Sequence, residues 1–182
     1  SQIEDFQKKL WEKKKFVIQT HYVITTDIVA EELHEEIFKN KEQRQEWKDL
    51  GFDLPKNKEE LKKQTLPIDT KYFESEFKEK LLESLTEKAD LDDILDGILI
   101  KSENYQALSL LLNKFKDKVQ TIYIDPPFNL DNSNQFLYRT DYKDSNWASL
   151  LENRLILAKS LLADRGGIFV RCDYNGNWII RC

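Results

Sequence analysis

Asp125-Pro126-Pro127-Phe128 places a carboxylate, two prolines and an aromatic ring in four consecutive residues, directly after the β-branched and aromatic run Val119-Gln120-Thr121-Ile122-Tyr123-Ile124. The run reads as a buried strand, so the acidic residue falls at a strand's carboxyl end. In open α/β sheets that edge is where ligands bind. Proline cannot donate to a sheet ladder, and Pro126 biases Asp125 away from helical backbone, so the strand must stop in a rigid turn. The turn holds one carboxylate beside one aromatic face. That pairing suits a planar ligand with a hydrogen-bonding edge, such as a nucleobase drawn out of its stack. The alternative is structural: a proline turn in which Asp125 caps the local backbone and Phe128 fills a core. An Asp-Pro-Pro-aromatic string arises by chance in roughly one chain in several hundred of this length.

Elements of suitable type flank the turn. Ile98-Leu99-Ile100 reads as a short strand, followed by a helix capped by Ser102 with Tyr105, Leu108, Leu112 and Phe115 on one face. After the turn, residues 129–134 read as a polar loop. Ser145 then opens a helix with Trp147, Leu150, Leu151, Arg154, Leu155, Ala158, Leu161 and Leu162 at three- and four-residue spacing. Gly166-Gly167 is expected to end that helix and lead into a strand, Ile168-Phe169-Val170-Arg171-Cys172. Alternating strands and helices imply a parallel sheet.

Before residue 91 the chain is mostly helical in pattern. Residues 2–15 carry Ile3, Phe6 and Leu10 at helical spacing, and 16–25 form an apolar, strand-like run. A helix is expected over 27–48 with Asp27 as N-cap, then a polar helix over 58–65. Tyr72 to Lys88 carries Phe73, Phe77, Leu81 and Leu85 as an apolar stripe, expected to pack against the next domain. The predicted organisation is a mostly helical region over 1–90 and an α/β core over 91–182.

Composition narrows the classes. With 34% charged residues, 12% aromatic and only 5 glycines in 182, the chain is helix-leaning and has enough apolar residues for a core. No run of eighteen apolar residues is present and no signal-peptide pattern opens the sequence, so a cytoplasmic protein without membrane spans is expected. Cys172 and Cys182 match no metal or disulfide spacing and are read as reduced thiols. His21 and His34 have no evident partner, and no metal is expected. A net charge of −5 is the wrong sign for gripping phosphates, since Lys and Arg normally supply that affinity.

The string Ile122 to Asn129, I-Y-I-D-P-P-F-N, resembles the catalytic motif of amino-group DNA methyltransferases, D/N/S-P-P-Y/F/W. With Leu99 to Asn104, Ala107-Leu108, Phe136-x-Tyr138, Trp147, Arg154-Leu155 and Gly166 to Val170, it resembles more narrowly the modification subunit of type III restriction-modification systems, which are adenine-N6 methyltransferases. The likeness runs from about Leu91 to Asn177. It implies a partial Rossmann-like methyltransferase core, with S-adenosyl-L-methionine as methyl donor and double-stranded DNA as substrate. It further implies a restriction subunit and a second modification subunit as partners.

By the same resemblance Asp125 accepts a hydrogen bond from the adenine amine, the Pro126 carbonyl accepts a second, Pro127 stiffens the turn and Phe128 stacks on the base. Tyr138, Tyr142 and Trp147 either line the base pocket or pack in the core. Ser102, Glu103, Asn104 and Asp173 are candidate donor contacts, although Ser102 serves equally as a helix cap and Asp173 as a turn former. No G-x-G of the donor-binding kind occurs in the chain, and Asn175-Gly176 departs from the acidic pairing many relatives carry. The expectation is therefore an amino-terminal fragment, inactive alone. The alternative is a non-catalytic protein or remnant that binds a partner subunit.

Overall fold

The computed structural model describes residues 17–87, 89–129 and 144–181. The helix expected over 2–15, most of the polar loop, Tyr138 and Tyr142 lie outside them. Two compact units are resolved, Val17–Ile98 and one that begins at Leu99.

In the first unit, β1 (Val23–Thr25) pairs antiparallel with β2 (Pro67–Asp69), with Ile24 opposite Ile68. Between them run α1 (His34–Lys39), α2 (Lys41–Asp49) and α3 (Lys58–Lys63). The single helix expected over 27–48 is broken. Short 3-10 turns occupy Thr26–Ile28 and Glu31–Leu33, Asp27 caps nothing, and Asn40 leaves helical geometry at ψ 111°. Its side-chain oxygen accepts the Gln43 N–H at 2.9 Å, so an Asx cap restarts the helix where periodicity alone reads through. Asn57 caps α3 in the same way through the Glu60 N–H. Gly51, at φ +81°, takes the left-handed position that ends α2, where a β-carbon is disfavoured.

α4 (Ser75–Thr86) buries Phe77, Leu81 and Leu85 in the core of its own unit, with Ile24, Leu33, Ile37, Trp47, Leu61 and Ile68. The stripe therefore packs within its own unit, because the β1–β2 face and α1 to α3 are themselves too apolar to stay uncovered. α2 also closes an edge of β2. The buried Gln43 accepts the Asp69 N–H at 2.7 Å, and the Trp47 indole N–H donates to the Pro67 carbonyl. Two side chains thus satisfy backbone groups that an edge strand would otherwise expose. α5 (Leu91–Ile94), capped by Asp90, follows.

The second unit is α/β. α6 (Asn104–Phe115) precedes β3 (Val119–Ile124), then α7 (Asp144–Leu161), β4 (Leu162–Val170) and α8 (Tyr174–Arg181). β3 and β4 are parallel, with Thr121, Ile122, Tyr123 and Ile124 opposite Gly167, Ile168, Phe169 and Val170. Between Val119 and Thr121 the partner jumps from Leu162 to Gly167, so Gly166-Gly167 lie inside an irregular strand instead of ending the helix. A β-carbon on Gly166 would stand 2.8 Å from the Val119 carbonyl oxygen, which only glycine permits.

Two expectations are corrected here. Ile98-Leu99-Ile100 is not a strand: it lies outside regular structure with Leu99 fully exposed, since no described strand offers it a ladder. β3 is not buried on both faces either, because Tyr123 and its cross-strand partner Phe169 are exposed. Among the described residues the parallel sheet has two strands.

Candidate functional site

The register of β3 and β4 determines what meets at their carboxyl ends. Ile124 lies opposite Val170, and the Arg171 N–H donates to the Ile124 carbonyl at 2.9 Å, continuing the pairing one residue beyond the strands. Asp125 and Arg171 therefore emerge side by side. Arg171 Nη1 lies 3.0 Å from Asp125 Oδ2, and the guanidinium stands 5.8 Å from the centre of the Phe128 ring. Both charged side chains are substantially exposed, 61% for Arg171 and 45% for Asp125, which keeps the pair weak and mobile.

The turn is held from behind. Trp147, fully buried in the first turns of α7, donates its indole N–H to the Pro127 carbonyl at 2.8 Å. Gly176 of α8 packs on the same indole, so closely that a β-carbon there would come within 2.7 Å of Trp147 Cη2. Asn129, also buried, donates to Asp144 Oδ1 at 2.7 Å, and its carbonyl accepts from Asn175 at 3.3 Å. α7 and α8 thus clamp the segment from Pro127 to Asn129 while Asp125 faces solvent. Trp147 supports the turn and presents no free face to a ligand.

The candidate donor contacts are spread apart. Glu103 caps α6 through the Gln106 N–H at 3.2 Å and forms an ion pair with Arg154 at 2.6 Å; Asn104 accepts from the same guanidinium. Ser102 is exposed, and the cap is Glu103. Asp173 caps α8, its Oδ1 accepting the Gly176 N–H at 2.8 Å. Its Oδ2 and the Asn129 Oδ1 are buried acceptors without a partner among the described residues.

Sequence reasoning missed Arg171 and Asn129. Arg171 was in principle readable: once the strands are aligned, a cation falls opposite the acidic residue. Asn129 gave no such signal, because its partners lie fifteen and forty-six residues away. Among the described residues no group of His, Cys, Asp and Glu could hold a metal ion, and no helix is long and apolar enough to cross a membrane.

No family model matches the chain, and no solved structure matches it. Among curated proteins it is 47% identical over 78 residues to the probable type III restriction-modification enzyme HindVI Mod subunit of Haemophilus influenzae, which covers 43% of this chain and 10% of that protein. It is 28% identical to the EcoP15I Mod subunit of Escherichia coli and 30% identical to the EcoPI Mod subunit of Escherichia phage P1, covering 17% of each. The chain thus spans 10 to 17% of the length of these relatives. The homologues of this chain are Mod subunits of type III restriction-modification systems, and the likeness to them covers 43% of its residues.

Proposed function

We propose that these residues carry the base-capturing turn of an adenine-N6 DNA methyltransferase of a type III restriction-modification system. The observation that carries the reading is the Asp-Pro-Pro-Phe turn at the carboxyl end of a parallel strand, in a chain whose relatives are Mod subunits. The exocyclic amine of adenine is a poor nucleophile, its lone pair being delocalised into the ring. Catalysis is then mostly positioning and electrostatics. Asp125 accepts one N–H of the amine and the Pro126 carbonyl a second, which localises the lone pair. Phe128 stacks on the extruded base, and Trp147, through Pro127, keeps the turn rigid while the base enters. Duplex DNA, a restriction subunit and a second Mod subunit are the partners of this reading.

S-adenosyl-L-methionine is the methyl donor the reading calls for, and the described residues fit it only in part. Asp173 Oδ2 offers an open acceptor, but Glu103 and Asn104 already serve Arg154, and the 182 residues contain no G-x-G cradle. The isolated chain is accordingly expected to transfer no methyl groups. A second reading, a segment that binds a partner without turnover, draws on the exposed Tyr123, Phe169 and Trp178.

One experiment separates the two. Placed in a full-length type III Mod subunit in exchange for its counterpart, the segment should support transfer of labelled methyl to adenine. Asp125→Ala should abolish turnover with duplex binding nearly unchanged, because the carboxylate serves the reacting amine and not the phosphates. Phe128→Tyr should be tolerated, whereas Phe128→Ala should lose stacking of about 1–3 kcal/mol. Full turnover in the Asp125→Ala chimera would remove the carboxylate from the mechanism.

A further inference from the structure

The guanidinium of Arg171 contacts both residues that the proposed reading assigns to the adenine ring. Its Nη1 donates to Asp125 Oδ2 at 3.0 Å, and its Cζ lies 5.8 Å from the centre of the Phe128 ring. A guanidinium is flat, delocalised and bordered by N–H donors, so it offers a carboxylate and an aromatic face the same contacts as the amino edge of adenine. The backbone of Arg171 is fixed by its hydrogen bond to Ile124, but the side chain is 61% exposed. It can swing away without disturbing the strands.

We propose that Arg171 is an internal occupant of the base subsite, and that a nucleobase enters by displacing its guanidinium from Asp125 and Phe128. The inference rests on the reading of Asp125 and Phe128 as base-capturing residues. It adds a cost to capture: a base must break an ion pair and a cation–π contact before it gains its own. Both contacts are exposed, so the cost is small and falls with salt. A duplex base that is firmly stacked is held out more effectively than one already unpaired. Arg171 therefore acts as a positioning and selectivity residue, keeping the carboxylate and the ring engaged until a base competes for them.

The test uses the 182-residue chain and adenosine, a neutral ligand whose own affinity is little affected by screening. Binding is followed by the NMR shifts of the Phe128 ring and the Arg171 Nε–H, with Phe128→Ala as the control for site occupancy. Arg171→Ala should bind adenosine about three- to ten-fold more tightly than the parent at low salt, the combined worth of one exposed ion pair and one cation–π contact. Raising salt from about 0.05 to 0.5 M, which shortens the screening length several-fold, should tighten binding by the parent and leave Arg171→Ala unchanged. A purely structural role for Arg171 would not produce that salt difference. Equal or weaker binding by Arg171→Ala, with Phe128→Ala still abolishing it, would overturn the internal occupant while leaving base capture standing. If neither chain binds at any salt while Asp125→Asn still shifts the Arg171 Nε–H, base capture itself fails, and the pair is a surface salt bridge only.

Discussion

The two units of this chain differ in how many of their apolar side chains they bury. In Val17–Ile98, Trp47 and Phe77 are sealed in the core and the buried Gln43 completes the edge of a strand. In the unit from Leu99 onward, burial is concentrated in Trp147, Leu151, Ala158 and Leu161 of α7, while Tyr123, Phe169 and Trp178 are exposed. The first unit leaves both ring nitrogens of the buried His34, and Gln64 Oε1, without a partner among the described residues. The second leaves Asn129 Oδ1 and Asp173 Oδ2 in the same state, and it carries the exposed Asp125–Arg171 pair beside Phe128. The larger apolar core thus lies in one unit and the candidate site in the other, as expected when a ligand must reach groups that a closed core would hide.

The strongest way to break this contrast is to remove an aromatic side chain from each unit. Trp47→Ala should cost about 3–5 kcal/mol, because it opens a large cavity and strips the Pro67 carbonyl of its donor. Phe169→Ser, at a position 61% exposed, should stay within about 0.5 kcal/mol. Urea unfolding followed by circular dichroism reads both. A cost above about 2 kcal/mol for Phe169→Ser would show that the β3–β4 face is covered in solution.

A middle-sized effect is expected where α7 and α8 clamp the turn. Gly176→Ala drives a methyl group to 2.7 Å from the Trp147 ring and should cost about 1–3 kcal/mol by overpacking. Trp147→Phe keeps most of the volume and loses the hydrogen bond to Pro127, worth about 1 kcal/mol. Both should broaden or shift the backbone NMR signals of Asp125 and Phe128. If Gly176→Ala leaves those signals in place, the clamp does not position the turn.

What the sequence disclosed follows the range of each interaction. The stripe Phe77, Leu81, Leu85 and the strand ending at Ile124 are local patterns with strong periods, and both stand in the structure. The Asp-Pro-Pro-Phe turn was legible because proline dictates backbone geometry by itself. The break at Asn40 was hidden, since an Asx cap competes with the helix through one side-chain hydrogen bond that apolar spacing does not record. Ile98-Leu99-Ile100 misled for the opposite reason: strand-forming residues become a strand only where a neighbour supplies the ladder. The contacts of Trp147 with Pro127 and Gly176 span twenty and twenty-nine positions, and no local rule reveals them.

A smaller effect concerns Cys172, next to the site. Burial, helped by the neighbouring Asp173 carboxylate, pushes its thiol above the ordinary value near 9.0. Only the thiolate reacts, so iodoacetamide should label Cys172 more slowly than a free thiol at pH 8, with a rate still climbing above pH 9. A Cys182→Ser chain makes the measurement unambiguous. Labelling as fast as a free thiol would mean that the end of β4 opens readily.

The smallest expected effect lies on the surface of the first unit. Glu35 accepts from Lys39 at 2.6 Å and from Lys58 at 2.8 Å, and these two ammonium groups hold its carboxyl at about 2, against an ordinary value of 4.5. A carboxyl depressed in the folded state favours folding above its unfolded value and loses that contribution as pH falls from about 4.5 towards 2. The side chain is exposed, so salt and water screen most of the gain. Thermal unfolding of Glu35→Gln should therefore occur slightly below the parent at pH 6, and the two curves should converge near pH 2. The gap at pH 6 should also narrow in high salt. A difference that persists unchanged at pH 2 would assign the effect to the helix itself and not to the ion pairs, and would show that even the exposed shell of this unit depends on packing more than on charge.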